Sequence, residues 1–168
     1  MTHYTLAGIL SPLSVTTDLQ ATTKEEALTA LTDLLARGGR IIDKAAVLTK
    51  LQEREALSST AIEGGIALPH TKSSGVNGVC MAFAISRAGI DCGASDGKPT
   101  QLFALAVAPA TPDSAYLTTL VELIDKLRLG SIRRKLLDCK TPEELFERLL
   151  RYDHAMASIA GIAGSAEA

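Results

Sequence analysis

The sequence contains no tryptophan, and aromatic residues make up only 4% of its 168 positions. So few rings argue against a stacking surface for the bases of single-stranded nucleic acid. The net charge of -2 gives no general attraction to nucleic acid either, so we expect no nucleic-acid partner. The core must be built from Leu, Ile, Val and Ala, in a chain long enough for one domain with a sizeable interior.

Cysteine and histidine are scarce as well. The three cysteines are Cys80, Cys92 and Cys139. Their odd number and the lack of a C-x-x-C pair argue against a disulfide framework and fit a reducing compartment. The three histidines, His3, His70 and His154, show no metal-ligand spacing with one another or with the cysteines. We therefore expect neither a metal nor a cofactor.

Long apolar runs are missing too. No stretch approaches the ~20 consecutive apolar residues that a membrane-spanning helix needs. The N-terminal residues also lack the charged and apolar regions of a signal peptide. We expect a cytoplasmic protein that does not insert into a membrane.

Capping residues and apolar periodicity predict two helices in the first third of the chain. Thr23 and Glu26 match a capping box, in which a hydroxyl and a carboxylate close the N-terminus of a helix that ends at Gly38-Gly39. Asp43 is the expected N-cap of a second helix, which runs towards Leu57.

Two nearly continuous apolar runs, 79–86 and 100–107, predict central strands. Three later capping patterns predict further helices: Thr111-Pro112-Asp113, Ser131 and Thr141-Pro142-Glu143-Glu144. The order of helices, strands and helices predicts a single α/β domain over residues 1–153, with a β-sheet covered by helices on both faces. Residues 154–168 are rich in Ala, Gly and Ser, which predicts a flexible tail.

One histidine, His70, lies in a short stretch that begins with two glycines, Gly64 to Thr71 (Gly-Gly-Ile-Ala-Leu-Pro-His-Thr). Proline fixes its own φ and favours an extended conformation in the residue before it. We therefore expect residues 66–68 to form a short buried strand, with His70 just past its end and able to reach solvent. The stretch alone leaves two interpretations open, a functional histidine and a loop histidine satisfied by backbone hydrogen bonds.

Two short patterns between the apolar runs match motifs whose structural context is missing. Gly93, Ser95 and Gly97 match G-x-S-x-G, the nucleophile elbow of serine hydrolases, which needs a helix after it. A strand is predicted there instead, and the only later histidine is His154. The same residues imitate a P-loop that is one residue short and has no helix after it. We expect a tight turn at Asp96-Gly97, and a small serine hydrolase is kept as a remote alternative.

An ordered series of segments covers the chain from about residue 6 to residue 150. The series comprises 54–60 (Arg-Glu-Ala-Leu-Ser-Ser-Thr), 65–70 (Gly-Ile-Ala-Leu-Pro-His), 89–91, 96–99, Ala108-Pro109 and 141–145. It resembles enzyme IIA of the bacterial phosphotransferase system, fructose/mannitol type, which includes the nitrogen-regulatory proteins. An ordered match of this length is far more specific than any single short motif.

The resemblance implies a mixed sheet flanked by helices, and it implies a phosphoryl carrier. In the family, the histidine at the position of His70 takes a phosphoryl group from the carrier HPr and passes it to an enzyme IIB partner. The residue type suits that chemistry, because a neutral imidazole is a competent nucleophile. Phosphoryl transfer itself needs mainly in-line positioning and charge stabilisation.

The resemblance assigns three further residues to the site. Arg54 stands at the family's arginine position and can bind phosphate oxygens with two donors; the alternative is a surface residue paired with Glu53 or Glu55. The Thr71 hydroxyl either donates to the phosphoryl group or caps a turn. Tyr116 stands where many relatives have a second histidine that contacts the active one, and a tyrosine keeps only a neutral hydrogen bond there.

Two functional hypotheses follow from these residues. The first is a cytoplasmic phosphoryl carrier that uses His70 and either feeds a sugar permease or acts in regulation. The second is an interaction module that has lost phosphotransfer and retains the docking face. The tyrosine at position 116 favours a regulatory role.

Overall fold

The structure, a computed structural model, describes residues 3–153. In chain order its elements are α1 (Leu6–Ile9), β1 (Leu10–Thr16), α2 (Lys24–Ala36), α3 (Lys44–Leu57), β2 (Ala61–Ile62), β3 (Ile66–Ala67), β4 (His70–Lys72), β5 (Cys80–Ile90), β6 (Thr100–Ala108), α4 (Tyr116–Leu127), α5 (Gly130–Leu137) and α6 (142–153). The predicted tail, 154–168, lies outside the described residues.

The six strands form one mixed sheet, in which five follow the order β1-β5-β6-β3-β2 and β4 pairs with β6 outside this path. Strands β5 and β6 form its antiparallel centre, and β1 runs parallel to β5. Both β3 and β4 run parallel to β6 on the edge opposite β5, with β4 farther along. Strand β2 is the antiparallel partner of β3. The mixed sheet that the family resemblance implies is confirmed.

The two faces of the sheet carry separate hydrophobic cores. Side chains alternate in direction along a strand, so Phe83 and Leu102 face one side, while Ala84 and Phe103 face the other. The first side packs against α4, α5 and α6, and we call it the α4 face. The second packs against α2 and α3, and we call it the α3 face. The predicted sheet with helices on both faces is thus confirmed.

Most predicted elements form where the sequence indicates. The apolar runs become β5 and β6, and β5 extends beyond the predicted end to Ile90. At the start of α6 the Thr141 hydroxyl accepts the Glu144 N–H at 3.1 Å, as its capping pattern predicts.

The predicted caps of α2 and α3 form with one difference. Thr23 Oγ1 accepts the Glu26 N–H at 3.1 Å, and the Asp43 carboxylate accepts the Ala46 N–H at 3.1 Å. The Glu26 carboxylate accepts the N–H and the hydroxyl of Thr22, at 2.9 Å and 3.0 Å. In a capping box this carboxylate would accept the N–H of the N-cap residue, Thr23. Here it binds the preceding residue, because Thr22 offers two donors to one carboxylate oxygen.

The sequence prediction is wrong at two later helix starts. The helix expected from Pro112 begins at Tyr116, because the Asp113 carboxylate instead caps the turn that precedes it. Helix α5 begins at Gly130, one residue before the expected cap Ser131, and its N-cap residue makes no side-chain hydrogen bond. Capping patterns locate a helix start only when no neighbouring turn competes for the same polar side chain.

Gly65 is expected to resist substitution because its backbone is both left-handed and crowded. Its φ is +79°, and a Cβ there would lie 3.1 Å from the Pro99 carbonyl oxygen. We predict that Gly65→Ala lowers the free energy of unfolding by about 1–3 kcal/mol in urea denaturation. Gly97→Ala is the matched control, since its φ is +70° and no atom lies within 4 Å of the added Cβ. Equal losses in the two variants would contradict a role for the Pro99 contact.

Candidate functional site

His70 is held by an interrupted edge strand that lies along β6. Strand β3 pairs Ile66 with Leu102, and β4 resumes with His70 opposite Ala106. Pro69 has no N–H, but its carbonyl accepts the Ala106 N–H at 3.0 Å, so the ladder continues across the interruption. His70 thus lies just past the end of β3, as the sequence predicted, and it is also the first residue of β4, a strand that the sequence did not predict.

The imidazole of His70 has a defined orientation. Its Nδ1 lies 2.8 Å from the Leu68 carbonyl oxygen, and the residue is half-buried. A carbonyl oxygen can only accept a hydrogen bond, so the proton is assigned to Nδ1 and the lone pair to Nε2. Nε2 is therefore the atom of this ring that can act as a nucleophile.

His70 and Thr71 point to opposite faces of the sheet. His70 lies opposite Ala106, which belongs to the core of the α4 face. Thr71 lies opposite Val107, which belongs to the core of the α3 face. The Thr71 hydroxyl instead lies 3.4 Å from the Lys72 carbonyl oxygen. This placement favours local backbone support by Thr71 over contact with a group carried on the imidazole.

Helix α3 runs antiparallel to β4 and brings its last turn near Pro69. At the start of the helix, the Asp43 N–H donates to the Gly75 carbonyl at 3.1 Å, just beyond β4. At its other end, Glu55 borders the same small space as Pro69. The helix from Asp43 to Glu55 and the extended chain from Pro69 to Gly75 each span about 18–20 Å. The equal lengths support the antiparallel arrangement. Arg54 belongs to this last turn. No hydrogen bond joins it to His70 among the described residues, so their proximity stays a prediction.

Arg54 uses part of its guanidinium on its own helix end. Its Nη1 donates to the Ser58 carbonyl at 3.0 Å and to the Ser58 hydroxyl at 3.3 Å. The alternative pairing with neighbouring carboxylates is not found, because Glu53 pairs with Lys50 and Glu55 pairs with Lys24. Within residues 3–153 no protein acceptor engages Nη2, so this donor is available to a ligand.

Tyr116 is the first residue of α4 and is almost buried on the α4 face, the face towards which His70 points. It is 5% exposed, and burial raises the pKa of its phenol. It lines a pocket of about 360 Å³ together with Tyr4 and Arg40, and His70 is not part of that lining. No hydrogen bond joins Tyr116 to His70 in the described part of the chain, so their contact stays a prediction.

Sequence reasoning missed one polar cluster beside the histidine. Glu55 is buried in the last turn of α3, where Lys24 Nζ contacts its carboxylate at 2.8 Å. Thr60 donates both its hydroxyl and its N–H to the same carboxylate. The signal was present in the spacing, because Glu55 follows Val47 and Leu51 on the buried stripe of the helix.

The G-x-S-x-G residues lie in the loop that joins β5 to β6. The Gly97 N–H donates to the Ala94 carbonyl at 3.0 Å, which confirms the predicted tight turn. A strand follows the motif, so the nucleophile elbow of a hydrolase is not formed. The Asp96 carboxylate accepts the N–H of Gly64 at 3.0 Å and that of Lys98 at 3.0 Å, and these donors lower the pKa of its carboxyl. The turn thereby supports the glycines that precede β3.

Comparison with known proteins gives a family match over most of the chain. Residues 8–152 match the family described as phosphoenolpyruvate-dependent sugar phosphotransferase system, EIIA 2. The fructose-specific EIIA component of Haloferax volcanii is 37% identical over 121 residues, which cover 72% of this chain and 79% of that protein.

A longer relative and a solved structure extend the comparison. The fructose-specific EIIABC component of Bacillus subtilis is 27% identical over 148 residues, and the match covers 88% of this chain but only 23% of that protein. The crystal structure of the nitrogen regulatory protein IIA-Ntr from Neisseria meningitidis superposes with a TM-score of 0.77 at 30% identity, covering 84% of this chain and 96% of that one. Between residues 3 and 153, no helix is both long and apolar enough to cross a bilayer.

Proposed function

The chain belongs to the EIIA 2 family of the phosphoenolpyruvate-dependent sugar phosphotransferase system, and from that premise we propose that His70 carries a phosphoryl group. The group comes from phosphorylated HPr and passes to an enzyme IIB protein or to a regulatory target in the cytoplasm. The observation that carries this proposal is the 2.8 Å contact between His70 Nδ1 and the Leu68 carbonyl, which leaves Nε2 free to attack.

The proposed step exchanges one phosphorus–nitrogen bond for another. The Nε2 lone pair of His70 attacks the phosphorus of the donor phosphohistidine, and the breaking bond returns its electron pair to the donor ring. The attacking ring keeps its proton on Nδ1 and gains positive charge. Its bond to the Leu68 carbonyl thereby becomes charge-assisted, and such hydrogen bonds are roughly twice as strong as neutral ones.

Arg54 is the proposed cation for the phosphoryl oxygens. The phosphoryl group carries about two negative charges near pH 7, as other phosphorylated side chains do. A guanidinium can meet those oxygens with two donors while it retains its contact with Ser58. Its approach is from the α3 side, around the free edge of β4.

Tyr116 is the residue with which we propose to test the strength of phosphoryl binding. Tyr116→His supplies a ring that can become a cation, so it should raise acceptance from HPr or lengthen the phosphoryl lifetime by about fivefold, for roughly 1 kcal/mol. Tyr116→Phe should slow acceptance from HPr and shorten the lifetime of the phosphoryl group. The measurement is single-turnover transfer from phosphorylated HPr.

The control for this series removes a phenolic hydroxyl from the same pocket. Tyr4→Phe should behave like the wild type, because Tyr4 borders the pocket but stands at no position that the family resemblance assigns to the site. Identical kinetics in the wild type, Tyr116→His and Tyr116→Phe would end the proposed role of this position.

A regulatory module without transfer activity is the second candidate function. Two points favour it: Tyr116 stands where the family resemblance implies a second histidine, and a nitrogen regulatory protein superposes on this chain with a TM-score of 0.77. Incubation with phosphorylated HPr, followed by addition of IIB, separates the two candidates. A carrier is labelled and then gives up its label, whereas a transfer-deficient module remains unlabelled.

A further inference from the structure

A buried charged cluster lies directly beneath the strand interruption. The Glu55 carboxylate is 5% exposed, and it contacts Lys24 Nζ of α2 at 2.8 Å. It also accepts the Thr60 N–H at 3.3 Å and the Thr60 hydroxyl. Lys24, Glu55 and Thr60 border the same small space as Pro69. A carboxylate with this burial is costly unless every oxygen is paired, and here both oxygens are.

Leu68 connects the cluster to the imidazole through its two backbone groups, the N–H and the carbonyl. The Leu68 N–H donates to the Thr60 carbonyl at 3.2 Å. The Leu68 carbonyl accepts from His70 Nδ1 at 2.8 Å. Glu55 fixes Thr60, Thr60 fixes Leu68, and Leu68 sets the ring. Every link in this series is a direct hydrogen bond between described residues.

We infer that Glu55 is a positioning residue for His70, which it holds in the Nδ1-protonated orientation through Thr60 and Leu68. The inference rests on the proposed phosphoryl transfer at His70, because that reaction needs the lone pair on Nε2. Glu55 touches neither the imidazole nor a phosphoryl group. Its role is to keep the Leu68 carbonyl where the ring finds its acceptor.

The test begins with Glu55→Gln, which keeps the size of the side chain but loses its charge. Without the anion, the contact with Lys24 weakens and one oxygen of the cluster becomes a donor, so Thr60 is held less firmly. We expect the maximal rate of phosphoryl acceptance to fall about tenfold to a hundredfold, as small misplacements of reacting groups do. The KM for phosphorylated HPr should stay unchanged, because the buried cluster does not form the docking surface.

A spectroscopic readout separates positioning from general stability. Two-bond hydrogen–nitrogen correlation spectra of the ¹⁵N-labelled protein report which ring nitrogen of His70 is protonated. The wild type should show the proton on Nδ1, whereas Glu55→Gln should show a mixture of both tautomers. Glu53→Gln is the matched control: Glu53 lies on the same helix, its carboxylate is exposed, and it pairs with Lys50 at 3.4 Å. It should match the wild type in both measurements.

A second pair of variants covers the case in which Glu55→Gln does not fold. Thr60→Ser keeps the hydroxyl that donates to Glu55 and should retain the wild-type tautomer and rate. Thr60→Val removes the hydroxyl and should behave as described for Glu55→Gln. Unchanged spectra and rates in Glu55→Gln, or in Thr60→Val should the first fail to fold, would overturn the inference. If the wild type accepts no phosphoryl group, the proposed function fails, and the tautomer spectra still decide the positioning role.

Discussion

A His70→Gln variant should accept no phosphoryl group from phosphorylated HPr. The glutamine amide has no nucleophilic nitrogen lone pair, so the new phosphorus–nitrogen bond cannot form. The fold should survive, because the half-buried side chain makes one hydrogen bond, to Leu68, worth about 0.5–1.5 kcal/mol. The measurement is incorporation of phosphate from HPr labelled with ³²P, with circular dichroism to check folding.

The other two histidines provide the controls for this result. His3→Gln and His154→Gln should be labelled as strongly as the wild type. Label that persists in a folded His70→Gln protein would refute the assignment of the site. Label lost equally in all three variants would point to damage to the fold rather than to the nucleophile.

An Arg54→Ala variant should transfer the phosphoryl group about 30- to 1,000-fold more slowly, since a lost electrostatic stabiliser costs on the order of 2–4 kcal/mol of barrier. The physical reason is the charge on the transferring group, which the guanidinium meets with its free donors. Thermal stability should change only modestly, because the folded state loses the two contacts with Ser58 at the helix end. Rapid-quench kinetics and a melting curve measure the two effects separately.

Two companion variants distinguish catalysis from helix capping. Lys50→Ala removes an exposed charge from the same helix and should leave transfer unchanged. Arg54→Lys keeps the charge but loses the two-pronged donor geometry, so its rate should lie between those of wild type and Arg54→Ala. A melting temperature that falls sharply while the rate per folded molecule stays constant would assign Arg54 to the fold alone.

Local sequence signals predicted the sheet and its covering helices well. The runs that became β5 and β6 are buried on both faces, so nearly every residue is apolar and the pattern is unambiguous. The caps at Thr23, Asp43 and Thr141 act on N–H groups three residues away, which sequence spacing captures. The prediction failed at Pro112, where Asp113 caps a preceding turn and delays the start of the helix to Tyr116.

The location of the candidate site was readable from the sequence, but its geometry was not. The stretch around Pro69 left a loop histidine and a functional histidine both open, and the family resemblance selected His70 as the functional one. The face to which the ring points depends on the pairing of β4 with Ala106, and that partner lies far away in the sequence. For the Glu55 cluster, helical spacing could have marked the buried side chain, but the contact with Lys24 forms only when α2 and α3 pack together. Such contacts are properties of the tertiary structure, and no local pattern encodes them.

The most direct test of the central claim is to locate the phosphoryl group on the ring. The wild-type protein, labelled with ¹⁵N in histidine and phosphorylated through HPr, can be examined for nitrogen–phosphorus coupling by NMR. We predict coupling at Nε2 of His70, together with a proton on Nδ1 that remains bonded to the Leu68 carbonyl. Coupling at Nδ1, or a phosphoryl group on any other residue, would contradict the account.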